Sequence, residues 1–342
     1  MARKPGKISV SSLAAELGVS VATVSRVLNN RIGVNEEKRQ EILARLQKYN
    51  FRINYPRPRG VKIAMVTEHS SLSSYVTAVL DGIYGYSRGT ELQVNVLIYE
   101  KHIGESLLSI LRDQQYSGVI LPSPIWVSSQ LEALAASGLP VVVIDKTVPI
   151  DGIGCIDHDS YAASRLAVDY LVSIGHRRIG YLGDRHIQQQ KQRFRGYLDA
   201  MRDHGIGVKP SWCAMRPYML NYMTFGYTGF GRLIVRAPEL TAVLAFDDDA
   251  AIGAISRAGE MGIRVPERLS FFGFKDILPA RYANPPLSTV RYPMEQAGEL
   301  AIRGIHEFLE GNGRKPLPRL MLPSSLVIRK STAPPRKDPL LS

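Results

Sequence analysis

Cysteine is scarce, with two in 342 residues. Cys155 and Cys213 cannot build a disulfide framework and lack zinc-site spacing, so both are expected to be buried thiols in a reducing compartment. No run approaches the roughly 18 to 20 uninterrupted apolar residues that a membrane span needs, and the opening MARKPGKISV has no apolar stretch behind its charges. Export and membrane insertion are not expected, and a cytoplasmic location is. Also lacking are G-x-x-x-x-G-K-[ST], H-E-x-x-H and G-x-S-x-G, the patterns that would cradle a nucleotide phosphate, hold a catalytic zinc or expose a nucleophilic serine. The acidic run Asp247-Asp248-Asp249 is no metal cluster, because three consecutive residues at a strand-to-helix turn cannot all face one ion. No enzyme, cofactor or metal is expected.

What is present is apolar material for a sizeable core. Hydrophobic residues make up 45% and charged residues 22%, which excludes a disordered chain and leaves room for two or three domains. The net charge of +12 is unevenly spread. Residues 1–60 hold 12 basic and 4 acidic residues, residues 314–342 hold 7 and 1, and the stretch between is slightly acidic. A basic N-terminal module is the electrostatic footprint of a polyanion binder, whereas the basic, Pro-containing C-terminus STAPPRKDPLLS reads as a solvated tail.

The N-terminal stretch SVSSLAAELGVSVATVSRVLNN has the apolar spacing of two short helices broken at Gly18-Val19. Ser11 or Ser12 is expected to cap the first, with Leu13 and Leu17 on one face, and Ser20 the second. In the second helix Val24, Val27 and Leu28 form the apolar stripe, leaving Ala22, Thr23, Ser25, Arg26 and Asn29 toward solvent. Such a face suits a major groove. Small residues allow close approach, hydroxyls reach phosphates, and one arginine can fork onto guanine. A third helix follows, capped by Asn35, with Glu36 and Glu37 in its first turn and Ile42, Leu46 and Tyr49 as its stripe.

VSVATVSRVLNN followed by GVNEEKRQEIL resembles the helix-turn-helix signature of the LacI family of bacterial transcription regulators. The resemblance implies that Val21 and Ala22 begin the recognition helix at the bases and that Arg26 is a further base-edge contact. By the same resemblance Ser20, Thr23, Ser25 and Asn29 meet the DNA backbone. The alternative for Val21 is a core position, and for the hydroxyls a capping role. In the family a short hinge helix follows, which forms on DNA and places a leucine in the minor groove. Here the linker is YPRPRGVK, whose two prolines disfavour a helix. Arg57 and Arg59 are then either phosphate or minor-groove contacts or parts of a plain spacer.

After Val61 the pattern turns to alternating strand and helix. VKIAMVT, LQVNVLIY, SGVIL and VVVID make one series, and RRIGYLG, TAVLAF and LSFFGF a second. Two series predict two lobes of parallel sheet covered by helices, with a ligand cleft at the strand C-termini. The loops collected there would be 68–75, 145–147, 183–193, 247–249 and 275–276. The resemblance extends over this region through LVSIGHRRIGYLGD, RFRGYLDAM, TAVLAFDDDAAIGAI, RVPERLSFFGFKD and NPPLSTV, which look like the family's periplasmic-binding-protein-like effector domain.

By that resemblance Arg193 grips effector oxygens, Asp247 stands where the family often has Asn, and Tyr75 lies near a paired-aromatic position. Asn221 and Tyr292 occupy further pocket positions, with Tyr218 and Tyr222 as pocket walls or core. Lys275 replaces a frequent Asp, and either favours an anionic effector or pairs with Asp247. His176, in GHRR, is read as a packing residue.

The sequence therefore predicts an α/β chain in four parts. Residues 1–54 are a three-helix helix-turn-helix module, 55–60 a Pro-containing hinge linker, 61–331 a two-lobed effector-binding and dimerisation domain, and 332–342 a tail. The expected function is a homodimeric sequence-specific regulator, a repressor, of a pseudo-palindromic double-stranded operator. Its expected effector is a small polar metabolite, a sugar or a sugar acid or phosphate. The alternatives are a DNA-binding regulator without a small-molecule response, and a small-molecule-modifying enzyme.

Overall fold

A computed structural model of the chain describes residues 9–28, 34–49, 60–67, 74–99, 106–122, 126–186, 188–217 and 220–335. The N-terminal helices are α1 (Val10–Glu16), α2 (Val21–Leu28) and α3 (Glu36–Lys48). Between α1 and α2 the axis turns by 114°. Gly18 makes that turn at φ +64°, a left-handed conformation that costs an L side chain about 1 kcal/mol or more, with no neighbour close enough to obstruct a side chain otherwise. The cap of α1 is Ser9, not Ser11 or Ser12. Its Oγ accepts from Ser12 N at 3.1 Å because the helix begins two to three residues earlier than its apolar spacing indicates. Ser20 Oγ accepts from Thr23 N at 3.0 Å, and Asn35 Oδ1 accepts from Glu37 N at 2.9 Å, as the capping residues predict. Leu13, Leu17, Val24, Val27, Leu28, Ile42 and Leu46 close into one small core, with Tyr49 against its edge.

The remaining chain forms two six-stranded sheets. The first has the order β11-β5-β4-β3-β1-β2, from β1 (Val61–Thr67), β2 (Leu92–Ile98), β3 (Gly118–Pro122), β4 (Val141–Ile144), β5 (Ile153–His158) and β11 (Arg319–Leu322). Helices α4 (Ser74–Ser87), α5 (Leu107–Asp113), α6 (Ser128–Ala136) and α12 (Met294–Glu310) accompany it. The second has the order β12-β10-β9-β8-β6-β7, from β6 (Ile179–Gly183), β7 (Cys213–Met215), β8 (Ala242–Ala245), β9 (Ser270–Lys275), β10 (Ser288–Arg291) and β12 (Ser325–Val327). Its helices are α7 (Ser160–Ser173), α8 (Gln188–Asp203), α9 (Tyr222–Arg236), α10 (Asp248–Glu260) and α11 (Leu278–Tyr282). β3, β4 and β8 are buried along their whole length, the continuous apolar signature of strands covered on both faces. One edge breaks the expected parallel pattern, since β12 runs antiparallel to β10.

The sheets belong to two compact units that are not consecutive in sequence. One contains residues 79–157 and 295–320 together with the N-terminal region, and the other residues 73–78, 158–294 and 321–342. The second unit corrects the boundary drawn at residue 332. Ala333 N donates to Ser270 Oγ, Ala333 O accepts from His176 Nε2, and Thr332 Oγ1 bonds the Ser288 and Tyr170 hydroxyls. The backbone of Ala333 and the side chain of Thr332 are satisfied by the body, so these two residues belong to it. Cys155 is buried as expected, but Cys213, on the edge strand β7, is only partly so.

Among the described residues no single helix is long and apolar enough to cross a membrane.

Candidate functional site

The polar end of α2 is presented as its sequence implies. Val24, Val27 and Leu28 go inward, while Val21 is 50% exposed, which removes the core alternative for it. Ala22 and Arg26 are exposed, and Thr23 and Ser25 half-buried. The Ser20 and Thr23 hydroxyls also lie 2.8 Å apart, so both help to cap the helix. Capping fixes the first turn, where a recognition helix meets base edges. Asn29, Arg57 and Arg59, and with them the hinge, lie outside the described residues.

The second face lies wholly in the second unit, at the C-terminal ends of β6, β8, β9 and β10, where parallel sheets collect ligands. Arg193, on α8, is only 1% exposed, which excludes a surface cation. Its Nη1 donates to Phe246 O at 2.8 Å and Gln190 Oε1 at 3.0 Å, and its guanidinium lies over the Tyr292 and Phe274 rings at 5.0 and 5.3 Å. Tyr292, just beyond β10, stacks on His158 with centroids 3.8 Å apart. Asp247 caps α10, its Oδ1 accepting from Asp249 N at 3.0 Å, and its Oδ2 lies 2.7 Å from Lys275 Nζ. The pairing with Asp247 that the sequence allowed for Lys275 is formed. Burial works against the Lys275 charge, but Asp247 outweighs it and holds the ammonium above its ordinary pKa.

Tyr75 and Tyr222 flank that ammonium, with ring centroids at 5.4 and 5.8 Å. Asn221 is exposed and caps α9, its Oδ1 accepting from Met223 N and Thr224 N. Arg193, Asp247, Lys275, Tyr75 and Tyr292 are thus linked through direct contacts or shared aromatic neighbours, whereas the carboxamide oxygen of Asn221 is spent on its helix.

Lys275 and Asp276 adopt φ of +111° and +60°, left-handed values that ordinary side chains avoid. The strain persists because the neighbours over-determine it. Asp276 accepts from Arg291 Nε at 2.8 Å and from Arg329, with Arg281 at 3.6 Å. Fully buried Asp248 accepts from Ile277 N at 3.0 Å and Thr289 Oγ1 at 2.7 Å. Burial raises the Asp248 pKa well above the carboxylate range, and that of Asp249 to about 6. The three aspartates therefore divide into a cap facing Lys275, an internal anchor and a partly buried first-turn acid.

Sequence reasoning missed His158, whose Nε2 lies 3.0 Å from Ser160 Oγ and 3.5 Å from Arg193 Nη2, because nothing around β5 marks it. It also missed the ion pair of Asp184 with Arg216, at 2.7 Å, although Asp184 falls in a loop expected at the strand ends.

This combination defines a class: a DNA-binding transcription regulator with a helix-turn-helix module and a periplasmic-binding-protein-like domain. Residues 11–54 match the model of bacterial regulatory proteins of the lacI family, and residues 168–332 that of the periplasmic binding protein-like domain. The chain is 32% identical over 314 residues to the transcriptional regulator GalS of Salmonella typhimurium, covering 87% of this chain and 90% of that one. It is 30% identical to the transcriptional regulator MalR of Streptomyces coelicolor, over 95% and 96% of the two chains.

Among solved structures, the transcription regulator GntR from Chromobacterium violaceum superposes with TM-score 0.70 at 26% identity, over 79% of this chain and 99% of that one. The lac repressor dimer bound to operator and an anti-inducer shares the fold, with TM-score 0.68 at 23% identity over 96% and 100%. The chain belongs to the LacI family of bacterial regulatory proteins.

Proposed function

We propose that this chain is a repressor that binds a pseudo-palindromic operator as a homodimer and is controlled by a small polar metabolite, a sugar or sugar derivative. Val21, Ala22 and Arg26 read base edges, and Ser20, Thr23, Ser25 and Asn29 contact the DNA backbone. Arg57 and Arg59 in the linker add phosphate contacts. The effector is held by Arg193, Asp247 and Lys275 against Tyr75 and Tyr292, with Asn221 at the margin.

The observation that carries the reading is helix α2, its first turn capped by Ser20 and presenting Val21 and Ala22 outward from a packed three-helix core, with Arg26 exposed in the last turn. One such helix spans only a few base pairs, so useful specificity calls for two copies on related half-sites. Effector and operator are then linked through their differential affinities for two arrangements of the protein, and each changes the other's affinity by the same factor.

The test is recovery and sequencing of genomic DNA bound by the full chain. An enriched inverted repeat is expected. Equal binding of random and selected DNA at physiological salt overturns the reading.

A further inference from the structure

The hydrogen-bonding capacity of the effector face is unbalanced. A neutral polyol is gripped largely by acceptors, since each hydroxyl has a proton to donate and carboxylates take it well. On this face the carboxylates of Asp247, Asp184, Asp276 and Asp248 are already engaged, leaving Asp249, half-buried in the first turn of α10. Asp247 receives Asp249 N at 3.0 Å and Lys275 Nζ at 2.7 Å, while Asp184 receives His186 N and Arg216 Nε, both at 2.7 Å. Asp276 receives Arg291 and Arg329, and Asp248 receives Thr289 and Ile277.

The donors are not exhausted in the same way. The Lys275 ammonium has three N–H bonds and one short contact to Asp247, so it keeps donors for a further acceptor. Its side chain retains 16% exposure, enough to be reached, and the strained backbone at Lys275-Asp276 holds it in one place. The Tyr75 and Tyr222 rings beside it limit the water that would otherwise compete for it.

We propose that the effector is a small organic oxyanion, a carboxylate or phosphate monoester, seated on the Lys275 ammonium. The inference rests on the assignment of this face as the effector site and names the chemical class that the site takes. An oxyanion offers only acceptors, matching the donors that remain, and it shares Lys275 with Asp247 in a charge-assisted bridge. Tyr75 and Tyr222 provide flat walls for the carbon skeleton.

The test is calorimetric titration of the full chain with D-gluconate, D-galactonate and D-glucose 6-phosphate, against D-glucose and D-galactose. At least one acid is expected to bind saturably and roughly tenfold or more tighter than its neutral counterpart, an advantage that shrinks with added salt. The sugar acids and the sugar phosphate separate the two sources of the oxyanion. Lys275→Met loses the advantage and Lys275→Arg keeps most of it. A neutral sugar binding as tightly as its acid, or no binding by any acid of the set, overturns the proposal.

The wild-type titrations decide the matter even where a variant fails to fold. A neutral sugar that changes operator affinity overturns the acid and leaves the regulator standing. Loss of sequence-specific DNA binding overturns the regulator whatever the titrations give.

Discussion

His176 ties the pH dependence of folding to one buried imidazole. It is 1% exposed, its Nε2–H donates to Ala333 O at 3.0 Å, and its Nδ1 accepts from the Thr241 hydroxyl at 2.9 Å. Burial pulls its pKa from 6.5 down to about 4, with the Ala333 hydrogen bond opposing. A depressed pKa on a base means that the folded state favours the neutral ring. The stabilisation is therefore complete above pH 6.5 and is lost as the pH falls toward 4. The full shift corresponds to about 3.4 kcal/mol, of which about 2 kcal/mol is gone at pH 5.

Trp126 lies in the first unit and Trp212 in the second, so Trp126→Phe leaves fluorescence reporting on the unit that contains His176. Urea unfolding of this variant, with and without His176→Gln, is to be compared at pH 7.5 and 5.0. Asp249, whose pKa is raised to about 6, works in the opposite direction on acidification, but it is common to both proteins and cancels in the difference. The wild-type imidazole should lose about 2 kcal/mol more than the glutamine over this interval. Equal losses would refute the assignment of a neutral buried imidazole.

Arg26→Ala is expected to cost about 1–3 kcal/mol of operator affinity and to relax the preference at one base pair per half-site, measured by competition with single-base operator variants. Gly226→Ala should destabilise the second unit by about 3 kcal/mol, because its Cβ would fall 1.9 Å from Ala250 O where α9 and α10 meet backbone to backbone. Gly85→Ala, in the first-unit part of α4 with open space around it, should be neutral or stabilising by about 0.5–1 kcal/mol in urea unfolding of a chain that keeps Trp126, the tryptophan of that unit. Asp276→Asn should cost about 2–3 kcal/mol, since it strips a buried carboxylate from Arg291 and Arg329. Arg281→Ala should cost under about 1 kcal/mol, its half-exposed side chain standing 3.6 Å away.

Much of this molecule was legible along the chain. The α2 stripe of Val24, Val27 and Leu28, the caps Ser20 and Asn35, and the strands around Ile63, Val142 and Val243 follow from periodicity and local hydrogen bonding, which act within a few residues. Each is found as the pattern implies. His176 was likewise read as packing and is packed. The cap of α1 was missed because Ser9, Ser11 and Ser12 are chemically equivalent there, and a shift of two or three residues in the helix start decides among them.

Sequence alone determined the architecture of this protein, a basic helix-turn-helix module followed by two series of strand and helix. Binary pattern and capping are short-range, and they survive in any chain that folds this way. Tertiary structure alone decided that residues 295–320 return to the first unit, that β12 runs antiparallel, and that Thr332 and Ala333 are structural. It also decided the chemistry of the effector face. Lys275 and Asp247 are 28 positions apart, and only the adjacency of β8 and β9 brings an ammonium to within 2.7 Å of a carboxylate. Whether a buried lysine repels or recruits a ligand depends on that partner, because the net charge and free donors of a site are properties of the cluster and not of any residue in it.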